Sequence, residues 1–263
     1  GVVQSCGTGL RTGGGADLVD YRALSMLGTH GMLEATPGSH WYDGEESVPS
    51  CVGEPVWIPG PAGMLEGITA CPPEGRAMQG IGIVCHPHPL YGGTMNNKVV
   101  DVLSRTMNDL GVGTLRFNFR GVGASEGEYA QGLGEADDLR AVLEWSRRHR
   151  PDYPVWLAGF SFGAYIALSV AREFPLAALI TIAPPVNFFD FSALTPPQCP
   201  WLLVQGEADE VVPAADVLSW AESQSPAPDI VRMPEVGHFF HGNLNALRER
   251  LIDRLQRTGV APA

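Results

Sequence analysis

Residues 154–165 read PVWLAGFSFGAY, and this segment predicts the centre of the fold. The apolar run Val155–Ala158 has the length and residue types of a buried strand, whereas the residues after Gly163 favour a helix. A strand that becomes a helix within one residue places that residue, Ser161, in a strained backbone conformation, and Gly159 and Gly163 keep side chains out of the turn. Ser161 then lies at a helix N-terminus, where free N–H groups favour negative charge. The segment therefore predicts a nucleophilic serine.

The composition indicates one sizeable globular domain with an acidic balance of charge. The chain has 263 residues, of which 44% are hydrophobic, and its formal net charge is −12. Nucleic acids and anionic membranes bind clusters of Lys and Arg, so this charge argues against both as partners. The sequence has no run of 18 apolar residues and no basic segment followed by an apolar one at its start. Neither a transmembrane helix nor a signal peptide is expected.

The cysteine pattern favours a cytoplasmic protein with free thiols. The five cysteines are odd in number, widely scattered, and without CxxC or zinc-type spacing. His86 and His88 could be read as part of a zinc site, but no HExxH or carboxylate-rich motif accompanies them. We therefore expect no metal and no cofactor, and we expect His86 to shape its loop by hydrogen bonding.

Strands and helices alternate along the chain from residue 54 onward, after an N-terminal segment without sustained periodicity. This alternation predicts a mostly parallel α/β sheet with helices on both faces. Residues 1–52 are interpreted as an extension of unknown role, which could mediate homo-oligomer formation, and residues 53–263 as the catalytic domain. A hairpin is predicted over 55–70. The further predicted strands are 80–85, 114–119, 155–158, 177–183, 201–206 and 230–233, and the predicted helices are 98–110, 134–148, 164–172, 213–224 and 244–255.

A serine nucleophile needs a base within hydrogen-bond reach and a carboxylate that orients the base. In an open parallel sheet, such groups lie in loops at the carboxyl ends of strands. Asp209 follows the predicted strand 201–206 and directly precedes a helix, which favours it over its neighbours Glu207 and Glu210. Asp209 is therefore the predicted orienting carboxylate for Ser161.

The predicted base is a histidine near the C-terminus. His238 lies in the loop after the last predicted strand and follows a glycine, whereas His241 falls at the start of the final helix. We therefore favour His238 over His241. The resulting order of Ser161, Asp209 and His238 is the order found in α/β-hydrolases.

Over about residues 53–257 the chain is similar to small bacterial hydrolases of the α/β-hydrolase superfamily that are related to dienelactone hydrolase. The matching segments are HPHPLYGGTMNNK at 86–98, RFNFRGVGASEG at 116–127, GFSFG at 159–163, Asp209, and HFFHG at 238–242. This resemblance implies an α/β-hydrolase fold without a separate lid domain. Dienelactone hydrolases themselves use a cysteine nucleophile, so the serine at position 161 argues against dienelactone as the substrate.

Acyl transfer also needs two N–H donors aimed at the developing oxyanion. The first predicted donor is the backbone N–H of Phe162, which follows the nucleophile. The second should come from the loop at 86–93, whose two prolines have no N–H, so His88 and Leu90 are the main candidates and Tyr91 is a further one. The resemblance favours His88, because its HPHP sequence overlays a common His-Gly-x-Pro pattern.

The segment 184–198 between two predicted strands is too short for a lid, and its residues Phe188, Phe189 and Phe191 could line an apolar acyl site. The predicted pocket residues are Tyr91, Phe188 and Phe239. The sequence thus predicts a serine carboxylesterase that acts on small short-acyl esters. Thioesterase, lactonase or peptidase activity would use the same three residues. A non-catalytic binding module is the alternative from a different class.

Overall fold

A computed structural model describes residues 53–258, so the predicted N-terminal extension lies outside the described residues. Within this range the strands are β1 (Pro55–Gly60), β2 (Gly63–Ala70), β3 (Gly80–Cys85), β4 (Val112–Phe117), β5 (Val155–Phe160), β6 (Leu176–Ile182), β7 (Trp201–Gly206) and β8 (Asp229–Met233). The α-helices are α1 (Lys98–Asp109), α2 (Leu133–His149), α3 (Phe162–Val170), α4 (Ala214–Glu222) and α5 (Leu244–Arg257). None of the helices described is long and apolar enough to span a lipid bilayer.

The strands form one sheet in the order β1-β2-β4-β3-β5-β6-β7-β8. β1, β2 and β4 pair antiparallel, and every pair from β4 to β8 is parallel. The described segment between β6 and β7 contains only turns and bends. The predicted α/β-hydrolase fold without a lid domain is therefore confirmed.

Both faces of the sheet are covered, which explains why its central strands are apolar throughout. Successive residues of β3 illustrate this, since Ile83 packs on the side of α2, α3 and α4 and Val84 packs on the side of α1 and α5. In β5, Leu157 and Ala158 divide between the two faces in the same way. All six residues of β5 are buried, so the strand that precedes Ser161 is fixed from both sides.

β4 begins and ends two residues earlier than predicted. Gly111, with a φ of 85°, reverses the chain directly after α1 and lets the strand start at Val112. At the other end, β4 stops at Phe117, although the Asn118 N–H still donates to the Glu66 carbonyl at 2.8 Å. The Asn118 side chain is fixed too, since its Oδ1 accepts from the Met95 N–H at 2.8 Å and its Nδ2 donates to the Glu66 carboxylate at 2.7 Å. The residues after β4 therefore belong to the loops at the carboxyl edge of the sheet.

Candidate active site

The turn between β5 and α3 has the strained geometry that its sequence predicts. Ser161 has a φ of 53° and a ψ of −118°, a conformation that non-glycine residues rarely adopt. A Cβ atom on Gly159 would lie 2.2 Å from the carbonyl oxygen of Gly163, and one on Gly163 would lie 2.4 Å from the carbonyl oxygen of Cys85. Both positions therefore require glycine. The turn presents the serine hydroxyl at the start of α3.

The structure brings the three predicted site residues together from loops that follow β5, β7 and β8. His238 Nε2 lies 3.0 Å from Ser161 Oγ, and His238 Nδ1 lies 2.8 Å from Asp209 Oδ2. The His238 and Asp209 side chains are 3% and 0% exposed, respectively. The imidazole is thus shielded from water on its carboxylate side and meets the serine on the other.

Asp209 carries a negative charge that its neighbours stabilise. Its Oδ1 accepts from the backbone N–H groups of Val211 at 2.9 Å and Val212 at 2.7 Å, and its Oδ2 accepts from Gln205 Nε2 at 3.0 Å as well as from His238. Burial by itself would raise the pKa of Asp209, but the hydrogen bonds to the carboxylate outweigh burial and the pKa is lowered. The group is therefore ionised at neutral pH.

An ionised Asp209 determines which nitrogen of His238 carries the proton. A carboxylate can only accept hydrogen bonds, so the Nδ1 that faces it must be protonated. A neutral imidazole then has a free lone pair on Nε2, which faces Ser161 Oγ and accepts the hydroxyl proton. This arrangement is suited to removing a proton from the serine when it attacks an electrophilic carbon.

The other candidate residues from the sequence lie elsewhere. Glu207 and His241 are exposed, and the His241 ring packs against the Phe239 ring with centroids 5.7 Å apart. Glu210 instead holds the loop of the histidine, because its Oε2 accepts from the His238 N–H at 3.1 Å. A Cβ on Gly237 would lie 2.5 Å from the same oxygen, so a glycine there allows the carboxylate to approach.

We expect a Glu210→Ala variant to lower kcat by about five- to tenfold, because losing this acceptor loosens the backbone that positions His238. Glu210→Gln keeps an acceptor oxygen and should stay within about threefold of the parent. Steady-state ester hydrolysis would measure both, with Glu207→Ala as the matched control. If both Glu210 variants lost the same activity, the charge of Glu210 would matter rather than its ability to accept this hydrogen bond.

His86 is fully buried and both of its ring nitrogens are occupied. Nδ1 lies 2.6 Å from the Pro87 carbonyl oxygen, to which it donates, and Nε2 accepts from the Phe119 N–H at 3.1 Å. Burial lowers the pKa of His86 to about 4, so the ring is neutral. The expectation that His86 shapes its loop by hydrogen bonding is confirmed. Among residues 53–258, no three His, Cys, Asp or Glu side chains cluster as metal ligands would.

The predicted oxyanion donors differ in availability. The Leu90 N–H already donates to His88 Nδ1 at 3.2 Å, at the start of a short 3₁₀ turn over Pro89–Tyr91. An amide with an internal partner is a poorer donor for a ligand. The backbone N–H groups of Phe162 and His88 are therefore the stronger pair, and their role stays a prediction.

Comparison with known proteins agrees with this geometry. A family model described as serine aminopeptidase, S33, matches residues 90–191. The structure of XC6422 from Xanthomonas campestris, described as an α/β serine hydrolase without lid, is 45% identical, with a TM-score of 0.76, and the match covers 80% of this chain and 95% of that one. This chain belongs to the α/β serine hydrolases.

Two further relatives support the assignment. An α/β serine hydrolase homologue from Coxiella burnetii is 50% identical, with a TM-score of 0.74, over 77% of this hydrolase and 97% of that chain. An uncharacterized protein of Rickettsia prowazekii, RP471, is 42% identical over 167 residues, which are 62% of this hydrolase and 69% of that protein. The similarity thus extends well beyond the short motif around Ser161.

Two of the three predicted pocket residues of the hydrolase, Tyr91 and Phe239, pack against histidines. Tyr91 and Phe188 are 57% and 44% exposed, and the Tyr91 ring centroid is 4.7 Å from that of His88. The Phe239 ring packs edge to face on His238 with centroids 5.1 Å apart. Exposed aromatic side chains and loop aromatics of this kind can contact an apolar part of a substrate. Their role in binding stays a prediction.

One aromatic residue expected at the acyl site lies in the core instead. Phe191 is 5% exposed and packs against Tyr165 and Trp220, with ring centroids 5.3 Å and 4.9 Å away. Phe189 lies closer to the serine, stacked on Tyr165 at 4.6 Å and 5.5 Å from the ring of Phe162. The expectation for Phe191 was wrong, because its side chain fills space between α3 and α4.

Sequence reasoning missed two residues that the structure places at the site. Gln205 donates to Asp209, and Tyr129 Oη lies 3.1 Å from His88 Nε2. A signal for Gln205 was available, since a glutamine at the end of an apolar strand must find polar partners when buried. Tyr129 carried no comparable signal, because it lies in a glycine-rich loop without periodicity.

Proposed function

We propose that this α/β serine hydrolase is a carboxylesterase that cleaves small short-acyl esters through an acyl-enzyme intermediate. The observation that carries this proposal is the continuous hydrogen-bonded chain from Ser161 through His238 to the ionised Asp209. The strained turn at Ser161 supports it, since strain in an ordered backbone concentrates at functional sites.

Acylation would begin with attack of Ser161 Oγ on the ester carbonyl carbon while His238 Nε2 takes the hydroxyl proton. The resulting oxyanion would accept from the backbone N–H groups of Phe162 and His88. Asp209 stabilises the imidazolium that forms. Collapse of the tetrahedral intermediate breaks the bond to the alcohol oxygen, which receives the proton from His238 as it leaves.

Deacylation would repeat the same steps with water as the nucleophile. His238 Nε2 takes a proton from the water, the hydroxide adds to the acyl carbon, and the carboxylic acid departs as Ser161 Oγ recovers its proton. The restriction to small esters rests on the short connection between β6 and β7, which brings no helix over the site to enclose a long acyl chain.

Activity profiles against matched acyl esters, thioesters and lactones test the proposal. We expect kcat/KM to be highest for 4-nitrophenyl esters with short acyl chains such as acetyl and butyryl, and to fall as the chain lengthens. A preference of about tenfold or more for thioesters or lactones would contradict the carboxylesterase assignment and leave the serine hydrolase family unchanged.

A further inference from the structure

Tyr129 is held at the carboxyl edge of the sheet by a rigid loop between β4 and α2. The fully buried Glu135 accepts from the backbone N–H of Ala130 at 2.8 Å and from that of Gly132 at 2.7 Å. Buried, hydrogen-bonded carboxylates of this kind fix the backbone around them. The Tyr129 side chain therefore projects from an ordered position.

The ring of Tyr129 lies beside the residues that flank the nucleophile. Its centroid is 5.0 Å from the His88 ring and 6.1 Å from the ring of Phe162, which follows Ser161 in the chain. The His88 and Phe162 rings are themselves 4.9 Å apart. Tyr129, His88 and the buried Phe162 thus form one aromatic cluster, and Phe162 directly follows the serine in the chain.

The tautomer of His88 determines the direction of the hydrogen bond between His88 and Tyr129. The Leu90 N–H donates to His88 Nδ1, so this nitrogen carries no proton and the neutral ring must carry its proton on Nε2. His88 Nε2–H then donates to Tyr129 Oη across 3.1 Å. Burial lowers the pKa of His88 to about 4, so the neutral ring persists at physiological pH.

The phenol that accepts this bond keeps a proton of its own. Burial raises the pKa of Tyr129 to about 12, so the hydroxyl is not ionised. Within residues 53–258, no hydrogen-bond partner of Tyr129 Oη other than His88 is found. The phenol thus has a proton for which the described residues provide no acceptor, and water or a bound ligand can accept it.

We propose that Tyr129 is a specificity-determining residue whose hydroxyl donates to a second acceptor atom of the substrate, an oxygen or nitrogen a few bonds from the scissile carbonyl. This inference rests on the proposed function and narrows its substrates to esters that carry such a polar atom. A site that aims a donor at a substrate acceptor discriminates against analogues that lack the acceptor, since the donor is then left unpaired.

Tyr129→Phe tests the proposal with two isosteric pairs of esters. The first pair is 4-nitrophenyl methoxyacetate and 4-nitrophenyl butyrate, which differ by an ether oxygen in place of a methylene in the acyl chain. The second pair, 2-methoxyethyl acetate and butyl acetate, places the same exchange in the alcohol. Comparing each variant with the parent on the same ester cancels the intrinsic reactivity of the substrates. Tyr153→Phe, at the opposite edge of the sheet, is the matched control.

We expect Tyr129→Phe to lower kcat/KM for the ether-containing member of one pair by about five- to twentyfold and to change its isostere by less than about twofold. A loss confined to the methoxyacetate places the acceptor in the acyl part, and a loss confined to the methoxyethyl ester places it in the alcohol. Equal changes within both pairs would overturn the inference while the proposed esterase function stands. Failure of the parent to hydrolyse any of the four esters would overturn both.

Discussion

Ser161→Ala is expected to lower kcat for 4-nitrophenyl butyrate by a factor of about 10⁴ or more, because the variant has no atom that can form the acyl-enzyme. The fold should be unaffected. The backbone N–H of Ser161 donates to the Ile182 carbonyl at 2.8 Å, and the Ser161 carbonyl accepts from N–H groups in the first turn of α3. Alanine keeps these groups and the same strained φ.

Ser169→Ala in the same helix is the control for this variant. The Ser169 hydroxyl donates to the Ile166 carbonyl at 2.8 Å and has no part in the proposed chemistry, so its loss should leave kcat within about twofold of the parent. Residual activity of Ser161→Ala within about tenfold of the parent would refute a serine nucleophile at this position.

Labelling by a fluorophosphonate, followed by intact mass, separates an enzyme from a binding module on the same scaffold. Only a serine activated by a neighbouring base reacts covalently with this class of probe. The parent and Ser169→Ala should gain one adduct, and Ser161→Ala should gain none. An unlabelled parent protein would favour the binding module.

The parts of the site that the sequence predicts are those fixed by local rules. Gly159 is required by the backbone of Gly163 in the same turn, and Gly163 by the Cys85 carbonyl at the end of β3. The spacing of the two glycines around Ser161 nevertheless predicts the turn without knowledge of the β3 contact. Asp209 and His238 follow from the rule that loops at the carboxyl ends of parallel strands meet at one edge. The predictions of Asp209 and His238 depend only on the order of the strands. In the structure, His238 lies within hydrogen-bond distance of both Ser161 and Asp209.

The parts that could not be predicted depend on packing between distant segments. Phe189 and Phe191 are two residues apart and chemically identical, but one approaches Phe162 and the other contacts Trp220 in the core. Tyr129 reaches His88 only because a buried carboxylate shapes the loop that follows it. No periodicity or motif in the sequence encodes contacts of this kind.

The Asp209→Asn variant is expected to lower kcat by a factor of about 10⁴. We expect this loss because the substitution changes the tautomer of His238, while the arrangement of the site residues stays the same. Oδ1 of Asp209 accepts from two backbone N–H groups, those of Val211 and Val212. In the variant the amide oxygen must occupy this position, because an NH₂ group there would face two donors. The new NH₂ group therefore faces His238 Nδ1.

An NH₂ group that donates to His238 Nδ1 forces the imidazole proton onto Nε2. A protonated Nε2 cannot accept the hydroxyl proton of Ser161, so the serine loses its base while the three side chains stay in place. Gln205 Oε1 is buried without a partner among residues 53–258, and a flip of the glutamine amide would let it accept from the new NH₂ group. That flip would break the bond from Gln205 Nε2 to the Gly206 carbonyl oxygen, so the melting temperature of the variant is measured alongside its activity.

Two measurements together decide this prediction. The first is kcat for 4-nitrophenyl butyrate, with the exposed Asp216→Asn in α4 as the matched control, which should behave as the parent. The second is the ¹⁵N NMR spectrum of the imidazoles, in which the protonated nitrogen of His238 should change from Nδ1 in the parent to Nε2 in the variant. A large loss of kcat with the tautomer unchanged would assign Asp209 an electrostatic role alone. Parent-like activity with the proton on Nε2 would show that His238 is not the base, because no lone pair would then face the serine.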